Sequence, residues 1–296
     1  MAVTGSHGLI GSALCDQLRR AGHDVVRLVR SEPAPGDIEW DPRAGRIDPG
    51  ALAGIDAVVN LAGPGIGDHR WTDDYKREIR DSRVQATALI AQAIAATPGG
   101  GPNVLLSASG IDYYGDHEAE DLDESSPAGT TFLARLCRDW EDATGPAESA
   151  GTRVVHLRSG VVLSAEGGAL RKLLPLFKLG IGGRFGNGRQ WVSWISIDDE
   201  LGAIEHLLTS EVHGPANLTA PEPVTNAELA RTLGRVLHRP AVIPVPKFGP
   251  SLVAGGEAAE ALLYAGRRVL PRVLLADGYR FAHPDLEAAL RAVLGR

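Results

Sequence analysis

Sulfur is scarce in this 296-residue chain, which holds two cysteines, Cys15 and Cys137, and one methionine. Both cysteines fall on apolar faces of predicted helices. Two such residues make no disulfide framework and read as buried thiols in a reducing compartment, so a cytoplasmic location is expected. Basic charge is also short: 30 Lys and Arg stand against 37 Asp and Glu, a net charge of -7. That argues against nucleic acid as a main partner, because phosphate binding needs concentrated Lys and Arg. No apolar run approaches the length of a membrane span, and no membrane partner is expected. The chain opens directly into a strand and a glycine-rich turn, so no signal peptide is expected. Nine His and 37 acids compose no metal signature: there is no Cys pair, no H-E-x-x-H and no EF-hand spacing. There is no internal repeat. The one low-complexity stretch is the Gly-Pro run from Pro98 to Pro102.

What remains is ordinary globular material, 44% hydrophobic and 23% charged, long enough for one large domain or a domain with a smaller partner. The first half alternates strands and helices. Ala2-Val3-Thr4 is a short strand, Ile10 to Ala21 a helix stopped by Gly22, and Asp24 to Val29 a second strand. Ala57 to Leu61 is a further strand, Ser82 to Ala96 a helix, and Asn103 to Ser107 a strand. Phe132 to Ser149 follows as a helix and Val154 to Leu157 as a strand. This alternation predicts an α/β, Rossmann-type doubly wound parallel sheet. The second half loses the regularity. Ala169 to Leu179 and Ile197 to Thr209 read as helices, and Gly214 to Thr219 as a strand. From Pro221 onward the pattern is mainly helical, broken by prolines. We expect a Rossmann domain over residues 1–165, rejoined by 195–220, and a smaller lobe over 166–296.

A G-x-x-G-x-x-G run, Gly5-Ser6-His7-Gly8-Leu9-Ile10-Gly11, lies between the first strand and the first helix. Gly5 permits a tight turn, Gly8 lets the backbone approach a pyrophosphate, and Gly11 lets the helix pack close to the sheet. The helix N-terminus supplies N–H donors to phosphate. The alternative is a glycine-rich loop without a ligand. The second strand ends at Val29-Arg30-Ser31. NAD sites usually carry an acid there for the ribose 2′-hydroxyl, whereas Arg30 and Ser31 suit a 2′-phosphate and thus NADP(H). The competing reading makes Arg30 a solvated charge and Glu32 the ribose ligand. Leu61-Ala62-Gly63, small and at a strand end, would let an adenosine lie flat against the backbone.

These residues, with Asn60-Leu61-Ala62-Gly63, Arg80-Asp81-Ser82-Arg83, Ser107-Ala108-Ser109, Tyr113-Tyr114-Gly115, Leu136 to Glu141, Leu157-Arg158-Ser159-Gly160, Gly186 to Trp191, Ala220 to Pro223 and Gly266 to Pro271, resemble the extended short-chain dehydrogenase/reductases. The nearer resemblance is to the epimerase-like subfamily with a C-terminal domain of unknown function, some of whose members are labelled cell-division-inhibitor-like. The resemblance covers nearly the whole chain. It implies an NADP-binding Rossmann domain and a small C-terminal lobe over the nicotinamide end.

The departures from that family matter more. Its members use a Ser or Thr at the end of the fifth strand and a Tyr-x-x-x-Lys on the next helix. Ser109 matches the first. No Tyr stands four residues before a Lys anywhere in the chain, and the resemblance puts Leu133 and Cys137 in those places. Dyad chemistry is thereby excluded. Tyr113 and Tyr114, at the cofactor end of the sheet, could substitute with Ser109 as catalytic residues, or could be aromatic packing. Arg83 stands where relatives often carry Asn. It reads either as part of the cofactor site or as a structural ion pair with an acid such as Asp81. Sugar-nucleotide epimerases grip a diphosphate with an Arg where this chain has Val192, and their His is Ser196. Arg184, Arg189 and Trp191 remain as candidate ligands for an anionic or planar substrate, the alternative for the two arginines being solvated loop charge. His7 reads as a residue supporting the phosphate turn.

Two classes of function follow. One is an atypical NADP-dependent oxidoreductase or epimerase acting on a small carbonyl or hydroxyl compound. The other is a non-catalytic NADP(H)-binding protein whose occupancy signals redox state.

Overall fold

The computed structural model describes residues 1–48, 50–117, 120–246 and 255–296. Along the chain come β1 (Ala2–Thr4), α1 (Leu9–Arg20), β2 (Val26–Val29), β3 (Ile38–Asp41), β4 (Arg46–Ile47), β5 (Ala57–Asn60), α2 (Asp73–Ala96) and β6 (Val104–Gly110). Then follow β7 (Asp121–Leu122), α3 (Phe132–Asp142), α4 (Gly145–Ser149), β8 (Arg153–Ser159), β9 (Val161–Leu163) and α5 (Gly168–Lys178). Next are β10 (Trp191–Val192), β11 (Trp194–Ser196), α6 (Ile197–Thr209), β12 (Gly214–Leu218), β13 (Val224–Thr225) and α7 (Asn226–Leu237). Shorter pieces lead to a last helix, Leu286–Leu294.

Eight strands form one sheet in the order β12-β8-β6-β5-β1-β2-β3-β4, parallel except for β4 on its edge. The central strands are apolar on both faces because helices cover both. One face packs Val3, Val59, Leu106 and Val155 on Leu14 and Leu18 of α1 and Ile204 and Leu207 of α6. The other packs Ala2, Val58, Leu105 and Val154 on Ala86, Leu89, Ile90 and Ile94 of α2. Strand order reverses between β1 and β5, so the ligand crevice of a doubly wound sheet opens beyond Thr4 and Asn60.

Two helices differ from the sequence reading, and short strands appear that it did not contain. α2 begins at Asp73, well before Ser82, because the Thr72 hydroxyl caps Tyr75 N–H at 3.2 Å and only Tyr75 and Ile79 of its early turns are buried. The helix expected from Phe132 to Ser149 is two helices. The Thr144 hydroxyl donates to the Glu141 carbonyl at 2.7 Å, and Pro146, which lacks an N–H, restarts the chain in α4. The short edge strands β3 and β4 carried too little pattern to be expected.

A second core lies in the other lobe. Leu170, Leu174 and Phe177 of α5, Leu233 and Val236 of α7, and Leu286 and Leu290 of the last helix close around Trp194. The lobe is tied back to the sheet domain by the strand Arg268–Val269, which pairs in parallel with β7.

Candidate functional site

The phosphate turn is locked by backbone contact. Gly5 has φ +65°, and a Cβ there would lie 2.4 Å from the Leu61 carbonyl oxygen. A Cβ on Gly11 would lie 2.3 Å from the Gly5 carbonyl oxygen. Neither position accepts a side chain. Gly8 and His7 are exposed, Ser6 is buried, Leu9 lies against Gly167, and Ile10 packs on the core. Helices α2, α3, α6 and α7 are capped by the side chains of Thr72, Thr131, Ser196 and Thr225. The N-cap of α1 is Gly8, which has no side chain to cap with. The first-turn N–H groups of α1 therefore stay available to an anion.

At the adenosine end, Arg30 and Ser31 are exposed beyond β2, and Glu32 takes a left-handed φ of +52°. The nearby acid, Asp37, accepts two hydrogen bonds from Arg27, at 2.9 and 2.6 Å. Arg27 and Asp37 thus satisfy each other, and among the described residues Arg30 forms no ion pair. Across the crevice, the Leu61 and Ala62 N–H groups donate to the Thr4 hydroxyl at 3.0 and 3.1 Å. Thr4 donates to Asn60 at 2.7 Å, and Asn60 donates to Thr87 at 2.8 Å. This buried relay fixes the Leu61–Gly63 backbone that would face an adenosine.

Gly63 lies on the Arg83 guanidinium, where a Cβ would sit 3.1 Å from Cζ. Arg83 is buried and makes no ion pair with Asp81, which is instead beside Arg80. It donates to the Pro64 carbonyl at 2.7 Å and the Ile79 carbonyl at 3.1 Å, and its guanidinium lies 5.1 Å from the centre of the Trp140 ring. Burial lowers its pKa. The places of the missing dyad are apolar. Leu133 packs with Tyr75, Ile79 and Leu136, covered by Leu262 from the second lobe. The Cys137 thiol is pushed up to about 12, first by burial and then by Asp112 and Glu141, so it stays protonated.

The polar groups near the carboxyl ends of β6 and β8 form a buried chain. Ser109 donates to Glu141 at 2.6 Å. Arg158 holds Glu141 by two hydrogen bonds of 2.8 Å and donates to the Tyr114 hydroxyl at 3.0 Å. Tyr114, fully buried, donates to Asn217 at 2.7 Å. The Arg158 guanidinium also lies 3.4 Å from the centre of the Tyr113 ring. Burial opposes the Arg158 charge, but the Glu141 carboxylate more than offsets it and raises the pKa. Burial pushes the Tyr114 phenol up to about 12. Of the three expected catalytic hydroxyls, those of Ser109 and Tyr114 are thus committed inside the protein. Among the described residues, that of Tyr113 makes no hydrogen bond. On the opposite face of β8, Ser159 donates to Glu200 at 2.6 Å, and burial pushes this carboxyl up to about 8.

In the second lobe, Trp191 is half-buried with the Arg268 guanidinium 4.9 Å from its ring centre. Arg184 and Arg189 are exposed on a loop pinned by Asn226, which accepts from the Phe185 N–H at 2.7 Å. No described hydrogen bond or ring contact joins these three to Ser109, Tyr113 or Tyr114. Next to Trp191 runs a strap from Gly266 to Leu270. Arg267 donates to the Gly115 carbonyl at 2.8 Å and to Asp112 at 2.5 Å, and the Gly266 N–H donates to Asp116 at 2.8 Å.

Sequence reasoning assigned no role to Glu141, Arg158, Asn217 or Glu200. A signal existed for the central pair: Arg158 interrupts the apolar strand β8, and Glu141 falls on the apolar face of α3. Opposite charges at two core positions imply each other, since a lone buried charge is too costly.

This chain belongs to the NAD dependent epimerase/dehydratase family, whose model matches residues 1–219. A domain of unknown function matches residues 245–293. An epimerase family protein of Mycobacterium bovis is 45% identical over 98% of this chain and 96% of its own length. The crystal structure of the human epimerase family protein SDR39U1 with NADPH superimposes with a TM-score of 0.91 at 38% identity, covering 99% of this chain and 98% of that one. A UDP-glucuronic acid 4-epimerase from Bacillus cereus shares the fold, with a TM-score of 0.77 at 17% identity over 99% of this chain and 97% of its own. Among the described residues no helix is long and apolar enough to cross a membrane.

Proposed function

We propose that this chain binds NADP(H) in the crevice beyond β1 and β5 and acts there as an atypical reductase or epimerase on a small carbonyl or hydroxyl compound. The observation that carries the cofactor reading is the end of β2: Arg30 is exposed and free of ion pairs among the described residues, while Asp37 is held by Arg27. An open cation there fits a 2′-phosphate. The human relative crystallised with NADPH supports the same reading. Bound NADPH supplies a hydride. The chain's own residues must then orient the substrate and move a proton. Ser109 gives its proton to Glu141, so toward a substrate its oxygen can only accept a hydrogen bond. It would hold a substrate hydroxyl or N–H rather than a carbonyl. Tyr113, with its ring held by Arg158 and its hydroxyl uncommitted, is the candidate proton donor. Turnover without the Tyr-Lys dyad should be slow. Arg184, Arg189 and Trp191 are the candidate substrate ligands.

The commitment of Ser109 and Tyr114 to an internal network favours a second reading, a non-catalytic NADP(H)-binding protein that reports redox state. One set of measurements addresses both. Fluorescence titration should give tighter binding of NADPH than NADH, and Arg30→Ala should remove most of that preference, a contact worth about 1.5–3 kcal/mol. Equal affinities in the parent would remove the cofactor assignment. Single-turnover hydride transfer to a carbonyl panel should slow in Tyr113→Phe. Transfer to none of the panel, with cofactor bound, selects the second reading.

A further inference from the structure

The described residues include six exposed large hydrophobics, and five of them share one surface: Leu176, Leu179, Ile181, Val242 and Ile243. Two segments bring them together. α5 ends at Lys178, and the chain turns back through Gly180, so that the Ile181 N–H donates to the Leu176 carbonyl at 3.1 Å. The stretch after α7 runs alongside. Arg239 donates to the Lys178 carbonyl at 3.0 Å, a Cβ on Gly180 would lie 3.4 Å from the Pro240 ring, and a Cβ on Gly183 would lie 1.9 Å from the Ile243 carbonyl oxygen. The apolar tips stand proud of this surface, with Leu179 at 74% and Val242 at 81% exposure.

The charge around these tips departs from that of the molecule. The chain carries a net -7, yet between Glu166 and Asp198 it has Arg171, Lys172, Lys178, Arg184 and Arg189 and no acid. A second stretch without acids runs from Leu229 to Gly256 and contributes Arg239. Lys172 is paired with Asp68 at 3.3 Å. Among the described residues Lys178, Arg184 and Arg239 form no ion pair, and all three are exposed.

Projecting aliphatic tips within a basic rim are the composition of a surface that inserts among anionic headgroups. We propose that this face docks the protein on an anionic lipid bilayer, with Leu179, Ile181 and Val242 entering the headgroup layer and Lys178 and Arg239 contacting lipid phosphates. The sequence set membranes aside because no segment can span one; a peripheral contact requires only exposed tips. A symmetric pair of chains joined through this face would oppose two basic rims, which disfavours a second copy as the occupant. The tips are aliphatic, whereas the cores of protein interfaces are enriched in aromatic anchors.

The test is flotation of the full chain with phosphatidylcholine vesicles, with and without about 30 mol % phosphatidylserine. Binding should require phosphatidylserine and weaken as salt rises from roughly 50 to 500 mM. The exposed double variant Leu179→Ser with Val242→Ser should partition at least roughly tenfold less. NADPH affinity serves as the check that it is folded. No flotation with anionic vesicles, or undiminished flotation of the folded variant, overturns the proposal. So does concentration-dependent dimerisation, seen by light scattering, that the same variant abolishes, because the face would then join copies of the chain.

Discussion

Glu141 and Arg158 lie on different elements, and each makes the other's burial tolerable; His156 stands 3.9 Å from Glu141, but burial lowers its pKa and favours the neutral ring. Replacing Arg158 by Met leaves a carboxylate in the interior without its cation, and we expect a loss of about 3–5 kcal/mol. Pairing Arg158→Met with Glu141→Leu should recover much of it, since an apolar pair carries no desolvation cost. Urea unfolding distinguishes the cases, and a single variant as stable as the parent would show that the pair is not structural. Glu200 makes a pH-dependent contribution of the opposite kind. Its carboxyl rises from an ordinary 4.5 to about 8 through burial. Between those values the folded chain holds a proton that the unfolded chain has released. Stability should therefore fall as pH rises toward 8, by up to about 1.4 kcal/mol per unit. Glu200→Gln should remove that slope in melts taken between roughly pH 5 and 8. An unchanged slope means the group ionises freely. The sequence disclosed Ser109 and Tyr113 by position but not the Glu141–Arg158 pair behind them. A hydroxyl's location follows from a local motif, whereas its partner comes from another element through the fold.

The glycine turn was legible because everything it needs is contiguous: a strand, three glycines and a helix start within Val3 to Gly11. The structure separates the glycines by consequence. A methyl on Gly11 meets the Gly5 carbonyl at 2.3 Å, whereas on Gly8 the only near atom is the same oxygen at 3.2 Å. Gly11→Ala should lower both the melting temperature and NADPH affinity. Gly8→Ala should leave the melting temperature nearly unchanged and weaken NADPH roughly tenfold, by obstructing pyrophosphate approach. Thermal melts with and without cofactor give both readings, and equal behaviour of the two variants would contradict the assignment. The α3–α4 break was less legible. Apolar spacing continues across Gly145-Pro146, and only the Thr144 hydrogen bond and the missing Pro146 N–H end the first helix. The edge strands β3 and β4 are too short to show a period.

At the scale of the molecule, alternating strands and helices disclosed the doubly wound sheet, because each apolar face must find a cover. The second lobe gave no such rhythm, since its core is drawn from three helices scattered between residues 168 and 294. Saturating NADPH should raise whole-chain stability by about 2.7 kcal/mol at a hundredfold excess over Kd. UDP-sugars should give no comparable shift, because Val192 cannot grip a diphosphate. A UDP-sugar shift lost in Arg189→Ala would mean that Arg189 has taken that role. The strap from Gly266 to Leu270 bears on how the protein is made. Asp112 and Asp121 leave the ribosome long before Arg267 and Arg268, their partners across 155 residues in the case of Asp112. At about 5–20 residues per second, the first half waits many seconds for that strand. A nascent chain stalled before Gly266 would hold the phosphate turn but leave β7 unpaired, so the strap closes only on chains translated past Val269.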